Sequence, residues 1–465
     1  MLAGIAGVMM TVSLAVASRP VQEPAASAST ADPQIAAMLA GVSPARIQQN
    51  IEKLTSFYTR QTLSSTMPAT SGKGINAAAE WIQAQFQQYS SECGNCLEVK
   101  TDEFIQQPGA RIPQPTKITN VYAILRGANP ANAGRIYIVS GHYDSRNSDP
   151  LNATDQAPGA NDDASGTAVS LECARVLSRH RFPATIIFLA VAGEEEGLYG
   201  SAHFAKMAKA DGWDIEAVLN NDIVGGDRTP GGAPKGYIPQ DPRIVRVFSE
   251  GIASTATEQQ LRQMRSLGGE SDSASRELAR YVAYVATQYL QPGDFRPMLV
   301  FRRDRYLRGG DQISFTEQGY AAVRFTEFRE DFNHQHQNVR TENGIEYGDL
   351  PKFVDYDYTA NVARLNAASL AALASAPSSP LDVRLLTKGL QNDSTLEWKP
   401  PPGGQATGYE VLWRDTTVPD WEHAKSVGNV TQVTLPVSKD NVIFAVSAVD
   451  AKGHRSLPAV PQPER

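Results

Sequence analysis

Cysteine is scarce: the 465 residues hold three. Cys93 and Cys96 stand as Cys-Gly-Asn-Cys in a polar loop. A zinc ribbon needs a second pair, and there is none. A thioredoxin-like motif needs a strand before it and a helix opening at its first cysteine; here a helix precedes and a strand follows. A local disulfide is the remaining reading, as befits an exported chain. Cys173, on an apolar helix face, reads as a buried free thiol. Basic residues are outnumbered, 43 against 50 acidic, for a net charge of −7. A polyanion partner needs a basic face, so no nucleic acid is expected. Short-period internal repeats are absent too.

Charge is missing altogether before Arg19. The apolar stretch MLAGIAGVMMTVSLAVAS reads as a signal-peptide core, with small-residue cleavage motifs at Ala15-Val16-Ala17 and Ala26-Ser27-Ala28. It lies near the short limit for a membrane helix, so an uncleaved anchor is the alternative. Residues 1–28 are therefore expected as a signal peptide cleaved near 17 or 28. A secreted or periplasmic protein without stable membrane insertion follows. Residues 29–49 read as a spacer or propeptide-like segment.

What is present is an ordinary globular composition, 41% hydrophobic and 20% charged, long enough for two folded units. Helical spacing runs from Ile35 to Thr59 and from Asn76 to Tyr89. Strand-like runs follow at Leu97–Phe104, Thr119–Leu125 and Arg135–Ser140. A helix at Ala164–Arg179 precedes Ala184–Ala192, almost continuously apolar as a buried parallel strand is. Then come a helix at Leu198–Ala210 and a strand at Ala217–Asn221. Helices are expected at Pro242–Thr255 and Gly269–Leu290, and strands at Met298–Arg303 and Ala321–Thr326. A long Ala-rich helix, Tyr356–Ala374, closes the unit. The alternation predicts an α/β fold: a mixed, mostly parallel twisted sheet with helices on both faces, over residues 50–375.

Residues 376–380 read as a linker, and the pattern then turns all-β. Trp398 before Lys399-Pro400-Pro401, Tyr409-Glu410-Val411, and the run from Phe444 to Asp450 together resemble a fibronectin type III domain over residues 381–465. That family has Tyr where Phe444 stands, so the hydroxyl of the tyrosine corner is missing. Such a sandwich offers no catalytic set; contact with polymers, a cell surface or the catalytic unit is its expected role, with a removable extension as the alternative. Asn152, Asn392 and Asn429 begin glycosylation sequons, which matter only in a eukaryotic secretory route.

Acidic groups gather at strand ends, where ligands of open α/β sheets bind. His142 and Asp144 follow the strand RIYIVS. Asp162 and Asp163 open a helix. Glu194, Glu195 and Glu196 follow ATIIFLAVA, and Asp222 follows AVLNN. His334 and His336 lie in a later loop. Adjacent buried carboxylates repel one another and lose hydration. A helix N-terminus accounts for one or two of them, not for the same concentration at several strand ends. Bound cations would relieve the repulsion everywhere, and carboxylate plus imidazole without thiolate suits zinc.

GHYDS, APGANDDASG, GEEEGLYGS and LNNDIVG, in this order, resemble the co-catalytic di-zinc exopeptidases: secreted bacterial aminopeptidases, glutamate carboxypeptidase and glutaminyl cyclases. The likeness spans roughly residues 76–374. It implies two zinc ions, with His142 and Asp222 on one, Glu195 on the other, and Asp162 bridging. It implies that Asp144 orients His142, and that Glu194 is the general base toward a water between the metals. The family's last ligand is a His four residues before an acid. This sequence departs from that pattern: His336 places Arg340 there, and His334 in reserve places Asn338. His336 is the expected ligand. Asp163 is expected to cap the following helix, Glu196 to face solvent or the substrate rim, and His203 to pack on its helix.

The reading that follows is an exported aminopeptidase acting on peptide or protein N-termini. Alternatives are a carboxypeptidase or dipeptidase, with Arg302, Arg303, Arg305 and Arg308 offered to a substrate carboxylate. A glutaminyl cyclase is disfavoured by His142, and an inactive binding protein by the full set of ligands.

Overall fold

The computed structural model describes residues 31–228, 238–291 and 293–464. The expected signal peptide lies outside them. Among the described residues, no helix is long and apolar enough to cross a membrane.

Two short helices come first, α1 (Pro33–Leu39) and α2 (Pro44–Thr55). Each has a side-chain cap, Asp32 or Ser43, and a proline in its first turn, where a missing N–H costs nothing. Ile35, Met38, Leu39, Ile47, Ile51 and Leu54 are buried in the main core. The segment expected as a spacer or propeptide-like piece up to residue 49 is thus largely helical and packed. From Asp32 onward the segment buries an apolar stripe and belongs to the folded unit.

The amphipathic α3 (Gly74–Glu92) leads into β1 (Leu97–Gln106). Between them, Cys93 and Cys96 are joined by a disulfide, and Cys173 is free and buried. Next come β2 (Thr116–Leu125), β3 (Arg135–His142), α4 (Ala164–Leu177) and β4 (Thr185–Val191). A single turn, α5 (Glu194–Gly197), runs into α6 (Tyr199–Ala210), followed by β5 (Asp214–Asn221) and β6 (Ile244–Ser249). The helices α7 (Glu258–Leu267) and α8 (Ala274–Tyr289) precede β7 (Arg296–Val300). Then α9 (Gln312–Thr316), β8 (Ala322–Glu327) and the short pair β9 (Arg340–Glu342) and β10 (Ile345–Tyr347) lead to α10 (Tyr356–Ser375).

The first eight strands form one sheet in the order β1-β2-β4-β3-β5-β8-β6-β7. Its centre is parallel, β4 with β3, β3 with β5 and β5 with β8; β2 runs against both β1 and β4, and the parallel pair β6 and β7 joins β8 antiparallel through β6. The helix expected at Pro242–Thr255 is instead β6. Its β-branched Ile244, Val245 and Val247 fit a pleated surface, and it fills the gap between β8 and β7. The unexpected α7 follows it, with the capping box of Thr257 and Gln260.

Beyond α10, residues 376–380 are mostly buried and packed, so the expected linker is not an open hinge. Two sheets follow. One has β11 (Leu381–Leu386), β12 (Ser394–Lys399), β15 (Gln432–Leu435) and β17 (Gln462–Glu464); the other has β13 (Gly408–Asp415), β14 (His423–Gly428) and β16 (Val442–Val449). They share a core containing Leu396, Trp398, Tyr409, Val411 and Phe444.

This all-β region is fastened to α8. The indole of Trp421 donates to Glu277 at 2.9 Å, and the Arg280 and Arg414 guanidiniums lie over the Trp421 ring at 5.7 and 5.3 Å. Arg414 also pairs with Asp272, and burial pushes the Glu277 carboxyl up to about 7.

Candidate active site

Parallel β4, β3, β5 and β8 end nearly level: His142 lies opposite Val191, Ser140 opposite Asn220 and Asn221 opposite Phe325. Their carboxyl ends therefore deliver neighbouring loops to one place. Close approach of α4 to the strands requires glycine. A Cβ on Gly141 would sit 2.4 Å from the Gly166 backbone, and one on Gly166 would sit 2.2 Å from the Asn221 carbonyl. Asp163 caps α4 as expected, accepting from Gly166 N at 2.9 Å, and does more. It also accepts from His142 N at 3.0 Å and Ile223 N at 3.2 Å, tying three strand-end loops together.

His142 closes β3 and is fully buried. Its Nδ1 lies 3.3 Å from Asp144 Oδ1, and its Nε2 lies 3.1 Å from Asp162 Oδ1. Asp222 Oδ1 and Glu194 Oε2 stand 3.9 and 4.0 Å from the same Nε2. On the other side of Asp162, Oδ2 is 2.9 Å from His336 Nε2, which is also 2.9 Å from Glu195 Oε1. One carboxylate thus touches both imidazoles, an oxygen to each. Asp349 fixes it by accepting from the Asn161 and Asp162 amides at 2.8 and 2.7 Å. Asp144 Oδ2 accepts from Glu195 N at 3.1 Å, linking the two halves. His336 and Ile223, beside Asp222, both hold positive φ, 56° and 60°, which non-glycine residues adopt at a cost.

The seven residues assigned from the sequence to the metals, the base and the support of His142, namely His142, Asp144, Asp162, Glu194, Glu195, Asp222 and His336, come together here. His334 does not: its Nδ1 pairs with Asp227, and its ring stacks on Phe353 at 3.7 Å. Arg340, standing where an acid was sought, pairs with Glu342 and lies over Tyr347. Glu196 corrects an expectation. It is buried, not on the rim, and takes a hydrogen bond from Gln61 at 2.9 Å. His203 does pack, stacked on Phe104 at 4.0 Å with Asp102 beside it. Sequence reasoning missed Arg324, Asp304, Asp311 and Asp349. For Arg324 a signal existed: a cation inside an apolar strand, AAVRFTE, needs a buried partner. Its Nη2 stands 2.8 Å from Asp222 Oδ1.

Burial, opposed by His142 and reinforced by Asp222 and Glu195, drives the Glu194 carboxyl well above the usual range. Burial also raises Asp222, against the pull of Arg324 and His142. Asp162 goes the other way: the two imidazoles outweigh its burial and hold it well below. Against burial, Asp144 and Asp162 lift His142 well above its ordinary value, and Glu195 and Asp162 lift His336 to about 10. Without a metal, protons on the imidazoles are the compensation for so many carboxylates.

The donors fit zinc. The ligand atoms of His142, Glu194 and Asp222 lie within 4.8 Å of one another, as do those of Asp162, Glu195 and His336. His142 Nε2 is buried and, although 3.1 Å from Asp162 Oδ1, is not aligned for a hydrogen bond to it, which leaves its lone pair available to a metal. Nitrogen and oxygen donors, no thiolate and a face open to the cleft match a catalytic zinc site.

Residues 120–356 match Peptidase family M28. The chain belongs to this family. Over 434 residues it is 44% identical to a probable zinc metalloprotease of Pyrenophora teres f. teres, covering 93% of this chain and 87% of that one. A probable zinc metalloprotease of Pyricularia oryzae is 45% identical, over 96% of this chain and 88% of the other. Among solved structures, the Legionella pneumophila LapA aminopeptidase superposes with a TM-score of 0.51 at 21% identity, over 74% of this chain and 75% of that one. LapB from the same organism gives 0.52 at 20% identity, over 74% and 75%. These two likenesses bear on the fold alone. As a member of family M28 the protein is a zinc metallopeptidase, and its acidic cleft is built accordingly.

For the zinc-free M28 chain the pKa shifts fix how stability depends on pH. His336, raised to about 10 from 6.5, adds stability below 6.5 that is lost as pH rises through 10. Burial lifts Asp311 and Asp349 to about 7 from 3.8, so each costs stability as pH rises from 3.8 through 7. Both slopes have one sign. A chelated sample is expected to melt lower at pH 9 than at pH 6, and added zinc to raise the pH 9 value most, because the cation replaces protons. Melting curves at the two pH values check it; a chelated chain more stable at pH 9 would contradict it.

Proposed function

We propose that the protein is an exported aminopeptidase working with two zinc ions on peptide or protein N-termini. The observation that carries this is Asp162, set between His142 and His336 with one oxygen on each, 3.1 and 2.9 Å away. His142, Asp162 and Asp222 would hold one ion, and Asp162, Glu195 and His336 the other. Bound there, the ions would supply Lewis acidity and a water acidified toward neutral pH.

Glu194 is the general base in this reading. Its side chain is 13% exposed and lines a cleft of about 650 Å³, whereas Glu195 is engaged by His336. It takes the proton of the attacking water and returns it to the leaving amine. Asp144 holds His142 Nδ1 and so fixes which nitrogen faces Asp162. The acidic floor of the cleft also suits a free α-ammonium group. The Cys93–Cys96 disulfide and the N-terminal apolar run support export. The two C-terminal sheets, with Trp398 against Tyr409 at 5.3 Å, support the fibronectin type III-like reading.

The test is zinc content together with a panel of aminoacyl amides, each with its N-acetylated counterpart. About two zinc ions per chain, and hydrolysis that needs a free amine, are expected. No hydrolysis of the free-amine amides, with cleavage of an N-acetylated dipeptide that carries a free C-terminal carboxylate, would turn the reading to a carboxypeptidase.

A further inference from the structure

The floor of the cleft is acidic, but its rim carries Arg111, Arg146, Arg305 and Arg308. Two of these are already neutralised. Arg305 and Arg308 share Glu330, at 2.7 and 3.0 Å, and Arg305 also pairs with Asp304 at 3.0 Å. The other arginines of that stretch are engaged as well. Arg303 pairs with Glu250 at 3.0 Å and Glu317 at 3.1 Å, and Arg302 lies over Tyr306 at 3.9 Å.

Arg111 and Arg146 differ. The hydrogen bonds they make among the described residues go to backbone carbonyls. Arg111 Nη1 donates to Glu195 O at 2.7 Å, and Arg146 Nε donates to Asn147 O at 3.1 Å. The first bond pins a guanidinium to the very peptide that carries Glu195, and leaves other N–H groups of its fork unspent. Arg146 lies two residues beyond Asp144, on the loop leaving β3. The two come from separate loops yet line one cleft with Glu194 and Glu195. A lone surface arginine is solvated and needs no explanation. Two that line the cleft beside Glu194 and Glu195, with no carboxylate partner among the described residues, offer planar forks that match carboxylate geometry.

We propose that Arg111 and Arg146 bind a substrate carboxylate, and that the preferred substrates are short peptides carrying a carboxylate beside the scissile bond. The inference rests on the peptidase reading above and names its substrate class. That carboxylate has two sources: the free C-terminus of a di- or tripeptide, or an acidic side chain flanking the bond.

The experiment uses the zinc-loaded full chain at low ionic strength and four peptides: Leu-Leu, Leu-Leu-amide, Leu-Glu-amide and Glu-Leu-amide. At least one carboxylate-bearing peptide is expected to exceed the neutral amide in kcat/KM by about tenfold or more, as charge-assisted pairing allows. Preference for Leu-Leu identifies the C-terminus as the source; preference for either Glu peptide identifies the side chain. In R111Q/R146Q the ratio is expected to fall toward one, chiefly through KM, and R111K/R146K to restore part of it. A ratio below about twofold in the parent, or one unchanged in the glutamine variant, overturns the proposal.

Failure of the aminopeptidase reading shows differently. In that case N-acetyl-Leu-Leu is cleaved while the free-amine peptides are not, and the ratio of N-acetyl-Leu-Leu to its amide tests the arginines. Calorimetric titration of Leu-Leu and Leu-Leu-amide, into the parent and into R111Q/R146Q, makes the comparison without turnover. A carboxylate preference in binding that the variant loses supports the proposal, and one that survives overturns it.

Discussion

Glu194→Gln is expected to lower kcat by about a thousandfold, the scale of a lost general base, with zinc content unchanged. Glutamine keeps the shape of the side chain and removes its basicity. The neighbour makes the contrast. Glu195 Oε1 sits 2.9 Å from His336 Nε2, so Glu195→Gln removes a proposed ligand, and zinc and activity should fall together. Metal analysis beside steady-state kinetics separates the two outcomes. Zinc lost from Glu194→Gln would make Glu194 a ligand, a position it also shares geometrically with His142 and Asp222.

Arg324→Met carries the largest expected effect on stability. The guanidinium is wholly buried, 2.8 Å from Asp222 Oδ1 and 3.3 Å from Asp304 Oδ2, and it donates to Gly309 O at 2.7 Å. Removing it leaves two buried carboxylates without their cation, a loss of about 3–5 kcal/mol. Asp304, now held down to about 2 against its burial chiefly by Arg324 and Arg305, would lose the larger of those two restraints. The loss should be greatest in the zinc-free chain, because a cation beside Asp222 takes over part of the compensation. Denaturant unfolding with chelator and with zinc measures both. Equal destabilisation in the two conditions would mean that Arg324 acts on packing and not through Asp222.

The sequence made the sheet and the clustering of acids readable for one reason: both follow from local pattern. A continuous apolar run such as ATIIFLAVA is a buried parallel strand, and the acids that follow it stand at its carboxyl end. Hydrophobic spacing failed at Ile244–Ser249, where the pull toward a strand comes from partners at residues 296–300 and 322–327. The same holds within the site. His142, Asp162 and Glu195 announce themselves by motif, but Asp349 supports Asp162 from 187 positions away, and nothing local marks it. Glu196 misled because a third acid on a helix turn normally faces water. Here Gln61, brought in from the segment before α3, covers it. His336 and His334 show the limit of spacing. They are two positions apart, and only the turn at His336 decides which of them meets Asp162.

On the aminopeptidase reading proposed above, the protein's own N-terminal segment is also a potential substrate. Asp32 N donates to the Tyr289 hydroxyl at 3.2 Å, and its carboxylate accepts from Gln34 N at 2.7 Å and faces His454 Nε2 at 2.9 Å. To enter a neighbour's cleft, this residue must leave both partners. The first helix must also unwind, and Ile35, Met38 and Leu39 must come out of the core. On that reading the fold itself resists trimming from Asp32 onward, because each further step must first dismantle packed structure.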